Sequence, residues 1–147
     1  LVEHSNLGIY YYDPKEQDWV YTTTKNNRRK LILTAEMETM DAVTIIQDLD
    51  SPVIKKLFPG NGGRYQINDV KEISIQVDDY LSGIESNESS FDLYINEILV
   101  YPAYQPIKKV VSYNLETSLS PGSHKIDFKV RDRLGNESGK TIYFSVY

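Results

Sequence analysis

The chain has 147 residues, a quarter of them charged and 40% hydrophobic, with a formal charge of −5, twelve tyrosines and no cysteine. That length suits one ordinary domain, or one small domain with part of another, and the composition is that of a globular chain. Interspersed charge of net negative sign excludes a nucleic-acid partner, the missing cysteine excludes a disulfide framework and thiolate ligands, and no apolar run approaches the roughly 18–20 residues of a membrane span.

Residues 1–50 read as short strands between polar turns. The start at Leu1-Val2-Glu3, without an initiator methionine, suggests a segment of a larger exported protein. Leu7 to Tyr12 is a predicted strand closed by Asp13-Pro14, and Asp18 to Thr23 a second, with Trp19, Tyr21 and Thr23 on one face against Val20 and Thr22. Lys25-Asn26-Asn27 reads as a turn, and Lys30 to Glu36 as a third strand with Leu31, Leu33 and Ala35 on one side. Glu36 to Asp41 fits either a short helical turn or a hairpin loop, and Ala42 to Gln47, β-branched at Val43, Ile45 and Ile46, fits a fourth strand. Four strands are few for a sandwich that must cover two apolar faces. The segment is therefore expected to be the end of an incomplete β-domain, the other reading being a sheet leaning on its neighbour. Asp48-Leu49-Asp50-Ser51-Pro52 is the expected boundary, because proline cannot extend a central ladder.

From residue 52 to 147 the alternation is cleaner. A short strand is expected near Val53 to Leu57, followed by the glycine-rich turn Gly60-Asn61-Gly62-Gly63. Lys71 to Asp78 sets Ile73, Ile75 and Val77 to one side; Phe91, Leu93 and Ile95 repeat the pattern, and Ile98 to Tyr101 follows after a turn. Lys109 to Glu116 keeps Val111, Tyr113 and Leu115 in register. His124 to Arg131 points His124, Ile126, Phe128 and Val130 inward, and Thr141 to Tyr147 does so with Ile142, Phe144 and Val146. A period of two over about seven short strands predicts an all-β, immunoglobulin-like antiparallel sandwich.

Two motifs add a resemblance. Asp79-Tyr80-Leu81-Ser82-Gly83-Ile84 resembles the D-x-x-S-G-I turn of bacterial immunoglobulin-like repeats, and Leu119 to Asn136 resembles their closing hairpin, from L-x-x-G-x-H to D-x-x-G-N. Glycine at 83 and 135 permits positive φ, and Asp79 and Asp132 can accept backbone hydrogen bonds across their turns. The arrangement also resembles the non-catalytic C-terminal region of large exported bacterial proteins, including lysostaphin-like (M23-type) peptidases, in which a segment like Leu7 to Pro52 precedes the last immunoglobulin-like unit. The resemblance implies a spacer, an adhesive module or an enzyme's appendage at the cell surface, in the periplasm or outside the cell. None of the peptidases' metal-binding motifs occurs in this chain.

Chemistry is sparse. His4 and His124 are far apart and form no zinc motif, and His124 is expected to pack at the sandwich edge with its ring hydrogen-bonded. No G-x-S-x-G occurs, and the Gly60–Gly63 loop lacks the lysine of a phosphate cradle. Calcium is the one metal to weigh: Asp78, Asp79 and Asp132 can gather at the sandwich-end loops, joined by Asp48 or Asp50, although capping of turns explains the same acids. A sugar-binding platform can be drawn from Tyr10, Tyr11, Tyr12, Trp19, Tyr21, Tyr101 and Tyr104, although rings also fill cores and strand faces. Tyr143 and Tyr147, on the outward face of the last strand, can pack on a neighbouring domain. The leading expectation is a non-catalytic accessory module that spaces or docks another domain of the same polypeptide. The alternative is a carbohydrate-binding or adhesive module with a surface glycan or protein as partner.

Overall fold

Strands that alternate in polarity need one face covered, and the computed structural model, which describes residues 5–38 and 42–147, pairs them accordingly. Among the described residues the strands are β1 (Leu7–Asp13), β2 (Asp18–Thr22), β3 (Thr24–Asn27), β4 (Ile32–Ala35), β5 (Val43–Gln47), β6 (Val53–Phe58) and β7 (Arg64–Tyr65). They continue with β8 (Glu72–Asp78), β9 (Phe91–Ile95), β10 (Ile98–Val100), β11 (Ala103–Gln105), β12 (Val110–Asn114), β13 (Gly122–Arg131) and β14 (Glu137–Val146). The fold is all-β, and no described helix is long and apolar enough to cross a membrane.

Two sheets form the sandwich, one ordered β10-β9-β13-β14-β7 and the other β11-β12-β8-β6. Ile126, Phe128 and Val130 of β13 are at most 1% exposed and share one core with Ile73, Ile75 and Val77 of β8. Phe91 and Leu93 from β9, and Ile142 and Phe144 from β14, complete its centre. The long β13–β14 hairpin runs in register from Gly122 opposite Val146 to Arg131 opposite Glu137. The Gly60–Gly63 turn and β7 lie along the outer edge of β14. There the Gly62 N–H donates to the Tyr143 carbonyl, and the Tyr143 and Ser145 N–H groups donate to the Asn61 side chain and the Gly63 carbonyl. Pairing these groups blunts an edge that would otherwise invite another strand. Both β7 and β11 escaped the sequence reading, being too short to show a period.

Residues 5–50 form a sheet ordered β2-β1-β5 and a separate hairpin, β3-β4. Among the described residues no strand pairing crosses from β1–β5 to β6–β14. Lys25-Asn26-Asn27, expected to be a turn, lies in β3, where the ladder from Thr24–Ala35 to Asn27–Ile32 overrides the turn preference of two asparagines. The chain reverses at residues 28–31 instead, and Leu31, expected on a strand face, is 69% exposed with a φ of 54°. Part of the 36–41 segment, at 39–41, lies outside the described residues, as does His4.

The pairing of β1 with β2 sets Tyr10 opposite Tyr21 and Tyr12 opposite Trp19, which places all four rings on one face. Gly8 sits on that face too: a Cβ there would come within 2.8 Å of the Tyr21 ring and 3.0 Å of the Tyr10 ring. The aromatic face looks toward one end of the sandwich. Arg133, in the β13–β14 turn, stacks over the Tyr21 ring at 5.8 Å, and the Tyr80 hydroxyl donates to Asp18 at 3.1 Å.

Candidate functional site

Three turns meet at that end of the sandwich, and each is closed by an aspartate. Asp79 follows β8, and its Oδ2 accepts the Gly83 N–H at 2.6 Å, in a turn where Gly83 takes a φ of +73°. Asp132 follows β13; its Oδ1 accepts the N–H groups of Leu134 and Asn136 at 2.8 and 2.9 Å, around Gly135 at φ +92°. Asp48 follows β5, and its Oδ1 accepts the Asp50 N–H at 3.1 Å. Side-chain oxygens held on nearby N–H groups explain why aspartate stands at each turn.

Long-range bonds then draw the turns together. Asp48 Oδ2 accepts the Ser82 N–H at 3.0 Å, and the Asp48 carbonyl accepts the Asn136 Nδ2 at 3.0 Å. Asn136 Nδ2 also donates to Asp132 Oδ2 at 2.6 Å, its Oδ1 accepts from the Asn6 side chain, and the Arg133 N–H donates to the Gly83 carbonyl at 3.0 Å. One carboxylate oxygen from each of Asp48, Asp79 and Asp132 consequently lies within 4.8 Å of the others.

The electrostatics are unfavourable as they stand. Asp48 is fully buried, Asp132 is 6% exposed and Asp79 is half-buried, and among the described residues no salt bridge reaches any of the three. Two unit charges at such a separation repel by about 3 kcal/mol even at an effective dielectric constant of ~20. Burial pushes the Asp79 carboxyl up to about 6; the charges of Asp132 and Asp48 add to this, while the Gly83 N–H bond works the other way. Among the described residues the fully buried Tyr10 hydroxyl has no hydrogen-bond partner. Its phenol is raised above the ordinary value, first by burial and then by charged neighbours that include Asp48, Asp79 and Asp132. A buried hydroxyl without a partner costs about 1–3 kcal/mol, so this one stands out, as do three carboxylates with hydrogen bonds but no ion pair among the described residues.

The remaining sequence candidates are dispersed. Asp78, one residue from Asp79, points the other way and is bound by Lys55 and by Lys109, which hold its carboxyl below the ordinary range. Asp50 is exposed and serves the cluster through its backbone N–H. The seven rings drawn as a platform do not form one surface. Tyr10 packs edge-on against Tyr21 at 5.5 Å and Tyr12 against Trp19 at 5.6 Å, whereas Tyr104 leans on the core ring of Phe91 at 5.1 Å and Tyr101 is 68% exposed. Tyr11 occupies the opposite face of β1 from Tyr10. His124 is buried against Phe144; its Nε2 meets the Ser120 carbonyl at 2.8 Å and must donate, so Nδ1 accepts from Asn96 Nδ2 at 2.9 Å. Two elements of the site went unnoticed in the sequence: the Tyr10 hydroxyl, read there as part of a ring platform, and the Asn136 side chain, read as a turn residue only.

No family model matches the chain, and no curated protein matches it in sequence. Among solved structures, CopC from Methylosinus trichosporium OB3b is similar, with a TM-score of 0.52 and 17% identity over 65% of this chain and 92% of that one. At such identity the likeness is one of fold. The chain carries an immunoglobulin-like β-sandwich. Nothing in that likeness extends to lysostaphin-like peptidases.

Proposed function

We propose that the chain is a non-catalytic accessory module of an exported bacterial protein, in which the sandwich of residues 52–147 fixes the orientation of the sheet in residues 1–50. By doing so it spaces or docks a functional domain elsewhere in the polypeptide. The supporting observation is the stitching of the boundary: Asp48 is bonded through its carboxylate to the 79–83 turn and through its carbonyl to Asn136. Buried hydrogen bonds with defined partners resist hinge motion, because breaking them leaves desolvated polar groups unpaired. A freely swivelling linker would have no use for a buried carboxylate. The motifs at 79–84 and 119–136 support placement at the cell surface or in the periplasm, with a lysostaphin-like peptidase as one candidate neighbour.

Amide ¹⁵N relaxation on the whole chain tests the reading. β1, β2 and β5 are expected to share one rotational correlation time with β8, β9 and β13. Two distinct times would mean that the parts tumble separately, and the spacer role would fall.

A further inference from the structure

We propose that Asp48, Asp79 and Asp132 form a binding site for one calcium ion at the boundary of the two regions, with the Tyr10 hydroxyl serving the ion's oxygen shell. Two independent observations lead there. Three carboxylate oxygens converge within 4.8 Å of one another without an ion pair among the described residues. On the same side of the boundary a fully buried phenolic hydroxyl has no partner among the described residues: Tyr10 shares the sheet face on which Asp48 follows β5, and its ring lies against Gly8 on that face. Capping of turns explains why each aspartate is present. It does not explain why they share a site, nor why an unsatisfied hydroxyl borders it. A cation with an oxygen shell would neutralise the acids, and it would bring a ligand water to the hydroxyl or take the hydroxyl oxygen itself.

The donor chemistry selects the ion. All three protein donors are hard, anionic oxygens, which suit calcium or magnesium rather than copper or zinc, whose sites draw on imidazole and thiolate. Magnesium holds its waters, demands a near-ideal octahedron and commonly takes one or two carboxylates, whereas calcium accepts six to eight oxygens in adaptable geometry. Backbone N–H groups already position the carboxylates: both bonds to Asp79 are accepted by Oδ2, and among the described residues no donor meets its Oδ1. Each oxygen has two lone pairs, so those bonds leave room for a metal. Because Asp48 comes from the N-terminal side and the other two acids from sandwich turns, the ion would cross-link the boundary. This deepens the spacer reading by naming what stiffens the joint.

The experiment is calorimetric titration of the chelator-treated whole chain with calcium chloride, together with thermal melts in calcium, magnesium and zinc. One saturable site is expected, with a rise in melting temperature of about 5 °C or more once calcium exceeds its Kd a hundredfold. Asp79→Asn keeps an acceptor for the Gly83 N–H and removes one negative charge. It is expected to fold and melt no lower than the metal-free parent while losing the calcium shift. Tyr10→Phe is expected to match the parent without metal and to bind calcium several-fold more weakly. No heat and no shift at 5 mM calcium, or an undiminished shift in Asp79→Asn, would overturn the site; a larger shift with magnesium or zinc would overturn the choice of ion. The relaxation measurement on calcium-free protein keeps the two proposals separate, since a rigid joint without calcium binding removes the site alone. Calcium binding to two independently tumbling parts removes the spacer reading alone.

Discussion

The two regions are built from similar strands but stabilised in different ways. The sandwich buries fifteen hydrophobic residues in one cluster, from Val70 to Val146. In residues 5–50, among those described, Tyr10 is the sole buried hydrophobic side chain, while Val43 and Ile45 are 44% and 59% exposed. Apolar burial contributes about 25 cal/mol per Å², so the sandwich has a core sufficient to fold around, whereas the N-terminal sheet draws its order from ring pairs and from polar bonds across the boundary. A β-sheet with one uncovered face is stable only where something else holds it. Here that role falls to the end of the sandwich carrying Asp79, Asp132 and Asn136.

Four substitutions probe this contrast. Phe128→Ala removes the ring at the middle of the sandwich core and is expected to cost about 3–5 kcal/mol. Urea denaturation should show both regions lost in one transition, because the N-terminal sheet has no core to fall back on. Gly8→Val drives a side chain into the rings of Tyr10 and Tyr21, for about 1–3 kcal/mol of overpacking. Hydrogen exchange should speed up across β1, β2 and β5 and stay slow in β13; a uniform loss of protection would show that the regions are one cooperative unit. Asn136→Ala severs the bonds to Asp48, Asp132 and Asn6 and is expected to cost about 1–2 kcal/mol. Its signature should be a second, faster correlation time for β1, with the sandwich unchanged.

The smallest effect belongs to Lys55→Ala. This lysine and Lys109 bind Asp78 on the surface, and an exposed pair contributes about 0.2–1 kcal/mol. The Asp78 carboxyl is held below its ordinary value of 3.8, by the bond from Lys109 first and that from Lys55 second. Its contribution is therefore complete above that value and disappears as acid lowers the pH through the depressed folded-state value. Melts of parent and variant should accordingly differ slightly near neutrality and converge in strong acid.

Much of the sandwich is legible in the sequence alone. Ile126, Phe128 and Val130, like Ile73, Ile75 and Val77, announce a dry face through a period of two, and all six are buried in the common core. The bonds from Gly83, Leu134 and Asn136 to their aspartates were legible as well, because they span at most four residues and depend on chain geometry alone. Residues 24–27 were not: their ladder with 32–35 is decided by a partner strand and not by their own turn preference. The grouping of acids was harder again. Asp78 and Asp79 are adjacent and indistinguishable by type, yet side chains on opposite faces send one to two lysines and the other to Asp48 and Asp132.

What the sequence determined by itself is therefore local: alternating polarity dictates paired strands with a dry side, and glycine with aspartate dictates where those strands reverse. Only the tertiary structure decided that the turns after β5, β8 and β13 converge and that the buried Tyr10 hydroxyl finds no partner among the described residues. The reason is one of range. Backbone periodicity and turn geometry act between neighbours in the chain, whereas the meeting of Asp48 with Asp132 depends on how whole sheets stack, and no short stretch of residues carries that information.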